Sequence, residues 1–314
     1  MRKQTMRWGA FCAPLLTIWV GLNLPAAEIF HVATYNLDNY LEQSTGTRSA
    51  KSLAAKSVIV QNLRLMHAEV VALQEVGGTD ALLELKASLK SAGLDYPYSE
   101  IVGGVDTNIQ VAVLSQFPLI SRHPHTNESF LLFGRRHFVS RGFLEVDVEV
   151  IPTYRFTLLA VHLKSRRPTP EADEADLREQ EALLLRGIID ERLRTSPQLN
   201  LVVLGDFNDT KNSKTLRCIT GRGRMALLDT RPAERDGKTS TEGPKAIPLR
   251  NVTWTYYFDR EDTYSRIDYI LISRGMALEW EEADTFIPTL ADWGLASDHR
   301  PIVAGFRAEN GKAK

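Results

Sequence analysis

Six short strings, spaced along most of the chain, end in side chains that bind cations or move protons. They are Ala33-Thr34-Tyr35-Asn36, Leu73-Gln74-Glu75, Val161-His162-Leu163-Lys164-Ser165, Gly205-Asp206-Phe207-Asn208, Arg266-Ile267-Asp268 and Ser297-Asp298-His299. Carboxylates and amide oxygens suit a hard divalent cation. Histidines beside carboxylates suit proton transfer and the stabilisation of developing charge. Taken singly, each string has an ordinary explanation: Asn36 or Asn208 closing a strand, Asp206 making an Asx-turn, Glu75 or Lys164 solvated, Asp268 paired with Arg266 or Arg300. Their joint occurrence, each at the end of an apolar run, points to one site at an edge of packed sheets.

The runs that carry these tips read as strands at His31–Leu37, Val70–Gln74, Ile109–Ser115, Phe143–Val150, Phe156–His162, Leu201–Gly205, Ile267–Ile272 and Pro301–Phe306. Helical periodicity is expected over Ser49–Met66, with Leu53, Val58, Ile59, Leu63 and Met66 on its apolar face, and over Glu174–Leu193. A third helix is expected over Thr79–Leu89, capped by Thr79 or Asp80. Strands mixed with few helices predict two packed sheets flanked by helices. The segment 231–249, rich in Pro, Gly, Lys and Thr, reads as a surface loop placed to act as a lid. A strand over Thr253–Phe258 would put Trp254, Tyr256 and Phe258 on one face and Thr255 and Tyr257 on the other.

The first 27 residues stand apart. Arg2, Lys3 and Arg7 precede an apolar stretch from Trp8 to about Leu24, and Pro25-Ala26-Ala27 follows, the pattern of a secretory signal peptide. The expected destination is periplasmic or extracellular, with an uncleaved membrane anchor as the alternative. Cleavage leaves residues 28–310 as one catalytic domain with 311–314 as a tail, and 35 Lys and Arg against 39 Asp and Glu, a formal charge of −4. Only Cys218 then remains, so no intramolecular disulfide can form. The acidic balance opposes strong nonspecific adhesion to a polyanion, yet Arg135, Arg136, His137, Arg141, Arg166 and Arg167 offer a local phosphate-contacting rim.

Together the six strings resemble the endonuclease/exonuclease/phosphatase superfamily, from about Phe30 to Phe306; Gly205-Asp206-Phe207-Asn208 and Ser297-Asp298-His299 carry most of the resemblance. It implies an α+β fold, a four-layered sandwich with two central, largely antiparallel sheets flanked by helices. It also implies metal-dependent hydrolysis of a phosphate ester. Asp206, His299, Asp268, His162 and Asn208 would be catalytic, with Asp206 activating water, the Asp268/His299 pair stabilising charge, and His162 and Asn208 binding phosphoryl oxygens. Glu75, Asn36 and Asp298 would hold Mg²⁺ or Mn²⁺, Asn36 either directly or by orienting Glu75. Lys164, Arg141 and Tyr264 are candidate substrate contacts. The expected substrate is nucleic acid, cleaved by an endonuclease or exonuclease. A lipid phosphodiesterase of sphingomyelinase type, a phosphomonoesterase and a catalytically silent binding protein are the alternatives. No protein partner is implied, and a monomer is expected.

Overall fold

A computed structural model describes residues 28–234 and 252–308. The predicted signal peptide and C-terminal tail lie outside the described residues, as does all of the expected lid beyond residue 234.

In chain order the elements are β1 (Glu28–Tyr40), α1 (Leu53–Leu65), β2 (Val70–Val76), α2 (Thr79–Ser91), β3 (Tyr98–Val102), β4 (Gln110–Ser115), β5 (Leu119–His125), β6 (Ser129–Leu132) and β7 (Arg135–Phe138). There follow β8 (Phe143–Ile151), β9 (Tyr154–His162), α3 (Glu174–Thr195), β10 (Leu201–Asp206), α4 (Lys214–Thr220), β11 (Leu228–Asp229) and β12 (Tyr256–Phe258). The chain finishes with β13 (Thr263–Ser265), β14 (Asp268–Ile272), α5 (Arg274–Ala277), β15 (Trp280–Phe286), α6 (Trp293–Ala296) and β16 (Ile302–Ala308).

Twelve of the strands form two six-stranded sheets, in the orders β15-β16-β1-β2-β4-β3 and β11-β14-β10-β9-β8-β5. Each is antiparallel except for one central parallel pair, β1 with β2 and β9 with β10. The sheets face each other across a core that includes Phe30, Val32, Val146, Phe156, Leu158, Leu204 and Ile270, with Phe30 and Phe156 stacked at 5.3 Å. The outer face of the first sheet packs Tyr35, Leu37 and Leu73 on α1 and α2, and that of the second packs Leu159, Val203 and Leu271 on α3. Strands buried on both faces must be apolar at odd and even positions alike, hence their continuous Val/Leu/Ile runs. The α+β, four-layered expectation is met.

Several local expectations are corrected. Helix α1 starts at Leu53, because Ser52 is its N-cap, its Oγ accepting from the Ala55 N–H at 3.2 Å; Leu53 is consequently 83% exposed rather than on the apolar face. At α2 the cap is Gly78, with φ of 117° and no side-chain bond, in place of Thr79 or Asp80. Asp173 caps α3 by accepting from the N–H of Ala175 at 2.8 Å. The strand expected from Thr253 begins only at Tyr256, so alternation does not govern Trp254. Its ring packs on Tyr264 and Trp293, the neighbours of Tyr257, and not with Tyr256 and Phe258.

Candidate active site

Three of the catalytic candidates occupy adjacent rungs of one ladder. Asp206, the last residue of β10, pairs with His162 on β9 and with Asp268 on β14. Residues in register across a sheet project from the same face with Cβ atoms about 5 Å apart. His162 Nε2 accordingly lies 3.4 Å from Asp206 Oδ2. Gly205 permits this pairing: its φ is 135°, and a Cβ there would stand 2.0 Å from the carbonyl oxygen of Val161. The glycine of the Gly205-Asp206 string is therefore a close-approach glycine.

Asp206 is 1% exposed and held from several sides. Its Oδ2 accepts from Asn36 Nδ2 at 3.0 Å and Asn208 Nδ2 at 3.2 Å, and its Oδ1 from the Asn208 N–H at 2.8 Å. Burial nevertheless pushes its carboxyl up to about 7, a value suited to a base at neutral pH. Asn208, at a φ of 51°, also donates to the Leu163 carbonyl at 3.0 Å, and its own carbonyl accepts from Arg166 Nε at 3.1 Å.

His299 comes from the turn after α6, at the edge of the first sheet. Its Nδ1 meets Asp268 Oδ2 at 2.9 Å, and its Nε2 lies 3.8 Å from Asp206 Oδ2. Burial alone would lower its pKa, but the charges of Asp268 and Asp206 hold it well above the usual imidazole value. His162 is displaced the other way, well below that value, by burial and then by the nearby cations led by Arg141. One imidazole is thus kept as a cation and the other neutral. Asp268 Oδ1 and His162 Nδ1 are buried with no partner among the described residues.

The first sheet brings the remaining candidates by a different route. Both β1 and β2 break register near their ends, between Asn36 and Tyr40 and between Leu73 and Val76. Asp38, Asn39 and Glu75 there adopt left-handed backbone, with φ of 46°, 63° and 63°. Bulges re-aim side chains at some backbone cost. Glu75 Oε2 accepts from the Asn39 N–H at 3.0 Å and lies 3.8 Å from Arg48, while its Oε1 lies 3.9 Å from His162. Asn36 turns its amide nitrogen to Asp206, and its oxygen accepts from the Asp38 N–H at 2.9 Å. It therefore orients Asp206, and the expected orientation of Glu75 falls to Asn39. Ser297 ties the last string to the first, donating from Oγ to the Asn36 carbonyl at 2.8 Å and accepting the His299 N–H at 3.0 Å.

The other expected contacts divide. Arg141, 5% exposed, donates to the Leu163 carbonyl at 3.1 Å and lies at the site's edge. Lys164 is buried, its Nζ donating to the carbonyls of Ser165 and Arg167. Tyr264 packs on Tyr257 and Trp254; the ring over His299 is Tyr256, at 4.7 Å. Sequence reasoning passed over Asp38, Asn39 and Arg48, and it took Tyr256 only as one of the aromatic run before Asp268, choosing Tyr264 as the substrate contact. The three near β1 owe their place to the bulge, which leaves no compositional mark.

A family model described as the Endonuclease/Exonuclease/phosphatase family matches residues 33–299. The chain belongs to that family. It is a divalent-metal-dependent phosphoesterase, a hydrolase of phosphodiester bonds. No curated protein matches it by sequence. The fold is similar to that of truncated Caenorhabditis elegans TDP2 (16% identity, 89% of this chain and 98% of that one, TM-score 0.59). It is also similar to sphingomyelinase C from Streptomyces griseocarneus (18% identity, 89% and 99%, TM-score 0.57) and to the 3'-5' exonuclease NExo from Neisseria meningitidis (18% identity, 88% and 99%, TM-score 0.56).

The donor set suits the metal that a phosphoesterase of this family uses. Protein packed round Asp298 pushes its carboxyl up to about 6 against the opposing charges of His299 and Lys51, and Asp38 and Glu75 add to the rise, so a further cation among these carboxylates would be favoured. Asp206, Asp268 and His299 also offer ligand atoms within 4.8 Å of one another. There, however, the imidazole already holds a proton and a bond to Asp268.

Proposed function

We propose that the protein is a Mg²⁺-dependent nuclease or general phosphodiesterase acting outside the cytoplasm, with nucleic acid as its substrate. The observation that carries this reading is the ladder trio His162, Asp206 and Asp268 closed by His299: a base near neutrality, a held imidazolium and a neutral imidazole around one point. Asp206 takes the proton of the attacking water. His299, kept cationic by Asp268, neutralises charge growing on the phosphoryl group, and His162 donates to a non-bridging oxygen. Asn208, expected to do the same, spends its Nδ2 on Asp206 and the Leu163 carbonyl and holds the base in place. Glu75 and Asp298 would hold Mg²⁺, with Asn36 placed instead to orient Asp206, and the ion would supply Lewis-acid neutralisation of the phosphoryl oxygens; Mn²⁺ shares the preference for oxygen ligands.

Nucleic acid is favoured over a lipid by what surrounds the trio. Arg48, Arg141 and Lys164 all lie close enough to depress the His162 pKa, and Arg166 braces Asn208. Cationic walls of this kind track a phosphate backbone. One observation supports a lipid phosphodiesterase as the second reading: the β12–β13 hairpin, whose Tyr256 covers His299, carries Tyr264 at 56% exposure. The cationic, apolar and small-residue order of the first 27 residues supports action after export.

The test is a panel of single-stranded DNA, duplex DNA, RNA, sphingomyelin and inositol phosphates, with Mg²⁺, with Mn²⁺ and with chelator. Hydrolysis of nucleic acid that needs the metal and is lost in Asp206→Asn is the expected result. Cleavage of sphingomyelin with nucleic acid left intact would move the assignment to the lipid reading.

A further inference from the structure

Beside the site lies a cavity of about 510 Å³, whose walls come from the segment before α1, the β3–β4 loop, strand β7 and the β7–β8 loop, the loop between β9 and α3, and α3 itself. Five cationic side chains line it, Arg48, Arg136, Arg141, Lys164 and Arg167, together with His137. Three acidic residues face them, and two of these are already engaged. Asp106 is shared between Arg48 at 3.3 Å and Arg141 at 3.7 Å. Glu181, buried, spends its oxygens on the Ser140 N–H and Oγ and on the Lys164 N–H. The third, Glu171, is exposed.

Arg48 is paired with Asn39 and Asp106, but other cations are left short of partners. Arg141 is 5% exposed, and its Nε has no hydrogen-bond partner among the described residues. Lys164 Nζ meets only carbonyl oxygens, and the side-chain bond recorded for Arg136 goes to Ser129 Oγ at 2.9 Å. Buried Arg141 and Lys164, together with exposed Arg136 and Arg167, bring more positive charge to the cavity than its carboxylates answer, which makes it a place for an anion.

The cavity also adjoins the reacting centre. Leu163 O accepts from Arg141 on the cavity side and from Asn208 on the catalytic side, and Arg48 lies 3.8 Å from Glu75. We propose that this cavity binds a second phosphate group of the substrate, one that is not cleaved: a backbone phosphate flanking the scissile one in a nucleic-acid strand. The proposal rests on the nuclease reading above and gives that site a preference for strands over esters carrying one phosphate. Of the expected cationic rim, Arg136, His137, Arg141 and Arg167 serve this subsite. Arg166 serves Asn208 instead, and Arg135 is exposed and outside the lining.

The test compares Arg136→Gln/Arg167→Gln with Arg135→Gln, a control on the same hairpin. Two substrates are used with Mg²⁺, a hexathymidylate and thymidine 5'-(p-nitrophenyl) phosphate, which carries a single phosphate. The double variant should raise KM for the hexanucleotide about tenfold and leave the single-phosphate ester within twofold of wild type, whereas the control should change neither. Equal effects on both substrates, or none on the hexanucleotide, would overturn the subsite. Binding of labelled hexathymidylate in EDTA gives an independent reading. Its dependence on log salt should lose about 0.7 of slope for each phosphate contact removed in the double variant alone. If neither substrate is hydrolysed, the nuclease reading fails. The binding arm then decides the subsite: weaker binding by the double variant supports it, and binding equal to the control removes it.

Discussion

The two sheets supply the site in unlike ways. The second sheet sets His162, Asp206 and Asp268 on neighbouring rungs of an unbroken ladder, each side chain placed by regular pairing. The first sheet reaches the site through two register breaks and three residues in left-handed backbone, and it gathers Glu75, Asp38 and Asp298, with Arg48, Lys51 and His299 beside them in turn. Regular pairing builds the part that works by holding and passing protons. Bulged backbone builds the part that gathers carboxylates, the part to which we assign the ion. If that division is right, variants of the two halves will fail differently.

The largest effect is expected at the centre of the ladder. Asp206→Asn keeps the shape but removes the base and gives up at least one of the three hydrogen bonds donated to the carboxylate, and turnover should fall by about 10³-fold or more. The far-UV circular dichroism spectrum should be unchanged, and added metal should recover nothing. Glu75→Gln should also lose activity, yet part of it should return as Mg²⁺ is raised, since a weakened ion site can be filled by mass action. Recovery of Asp206→Asn by metal, with none for Glu75→Gln, would invert the assignment.

Stability provides a reading independent of turnover. At about a hundred times the dissociation constant, a bound ion adds about 2.7 kcal/mol to the folded state. At a Mg²⁺ concentration that saturates the wild type, the ion should therefore raise the Tm of the wild type and of Asp268→Asn, and leave Glu75→Gln near its value in chelator until Mg²⁺ is raised further. Loss of the metal response in Asp268→Asn alone would place the ion among Asp206, Asp268 and His299.

The same division explains what could be read from the sequence. The ladder half was legible because apolar runs that close in His162 and Asp206, and one that opens at Asp268, state both the strand and its polar tip, and Gly205 marks where backbones approach. The core strands and the long helices α1 and α3 were legible for the same reason: their periodicity is long and unbroken. Edge strands such as β3, β5 and β15, half exposed and mixed in character, leave no such pattern. Neither do the bulges, since a one-residue shift in pairing depends on the neighbouring strand. Hence Glu75 was found as a candidate, but not its backbone, and Asp38, Asn39 and Arg48 were not found at all.

The two histidines sharpen the contrast within the proton-handling half. In chelator, the imidazole of His299 should remain protonated above pH 6.5, and that of His162 should remain neutral below it, as followed by NMR. The signs for stability are opposite. His299, raised in the folded state, contributes stability that is complete below about pH 6.5 and lost as pH rises through its folded pKa. His162, lowered in the folded state, costs stability as pH falls from about 6.5 towards its folded pKa, because only the unfolded chain takes up the proton. Urea titrations across pH should thus show a flatter alkaline limb in His299→Gln and a flatter acid limb in His162→Gln, at about 1.4 kcal/mol for a full unit of displacement. Both rings titrating together near pH 6.5 would remove the distinction.

The smallest effect concerns the bulge. Glu75→Ala and Glu75→Gly both remove the carboxylate, its bond from Asn39 and its proximity to Arg48, so their difference isolates the backbone. At an ordinary strand position alanine is the more stable of the two, because glycine surrenders more freedom on folding. At a φ of 63° the order should reverse, with Glu75→Gly ahead by about 1 kcal/mol in chelator, since alanine keeps the Cβ that makes left-handed backbone costly. The comparison needs no metal, substrate or assay of turnover. If alanine proves the more stable, Glu75 sits on unstrained backbone, and the first sheet would deliver its carboxylate as regularly as the second delivers Asp206.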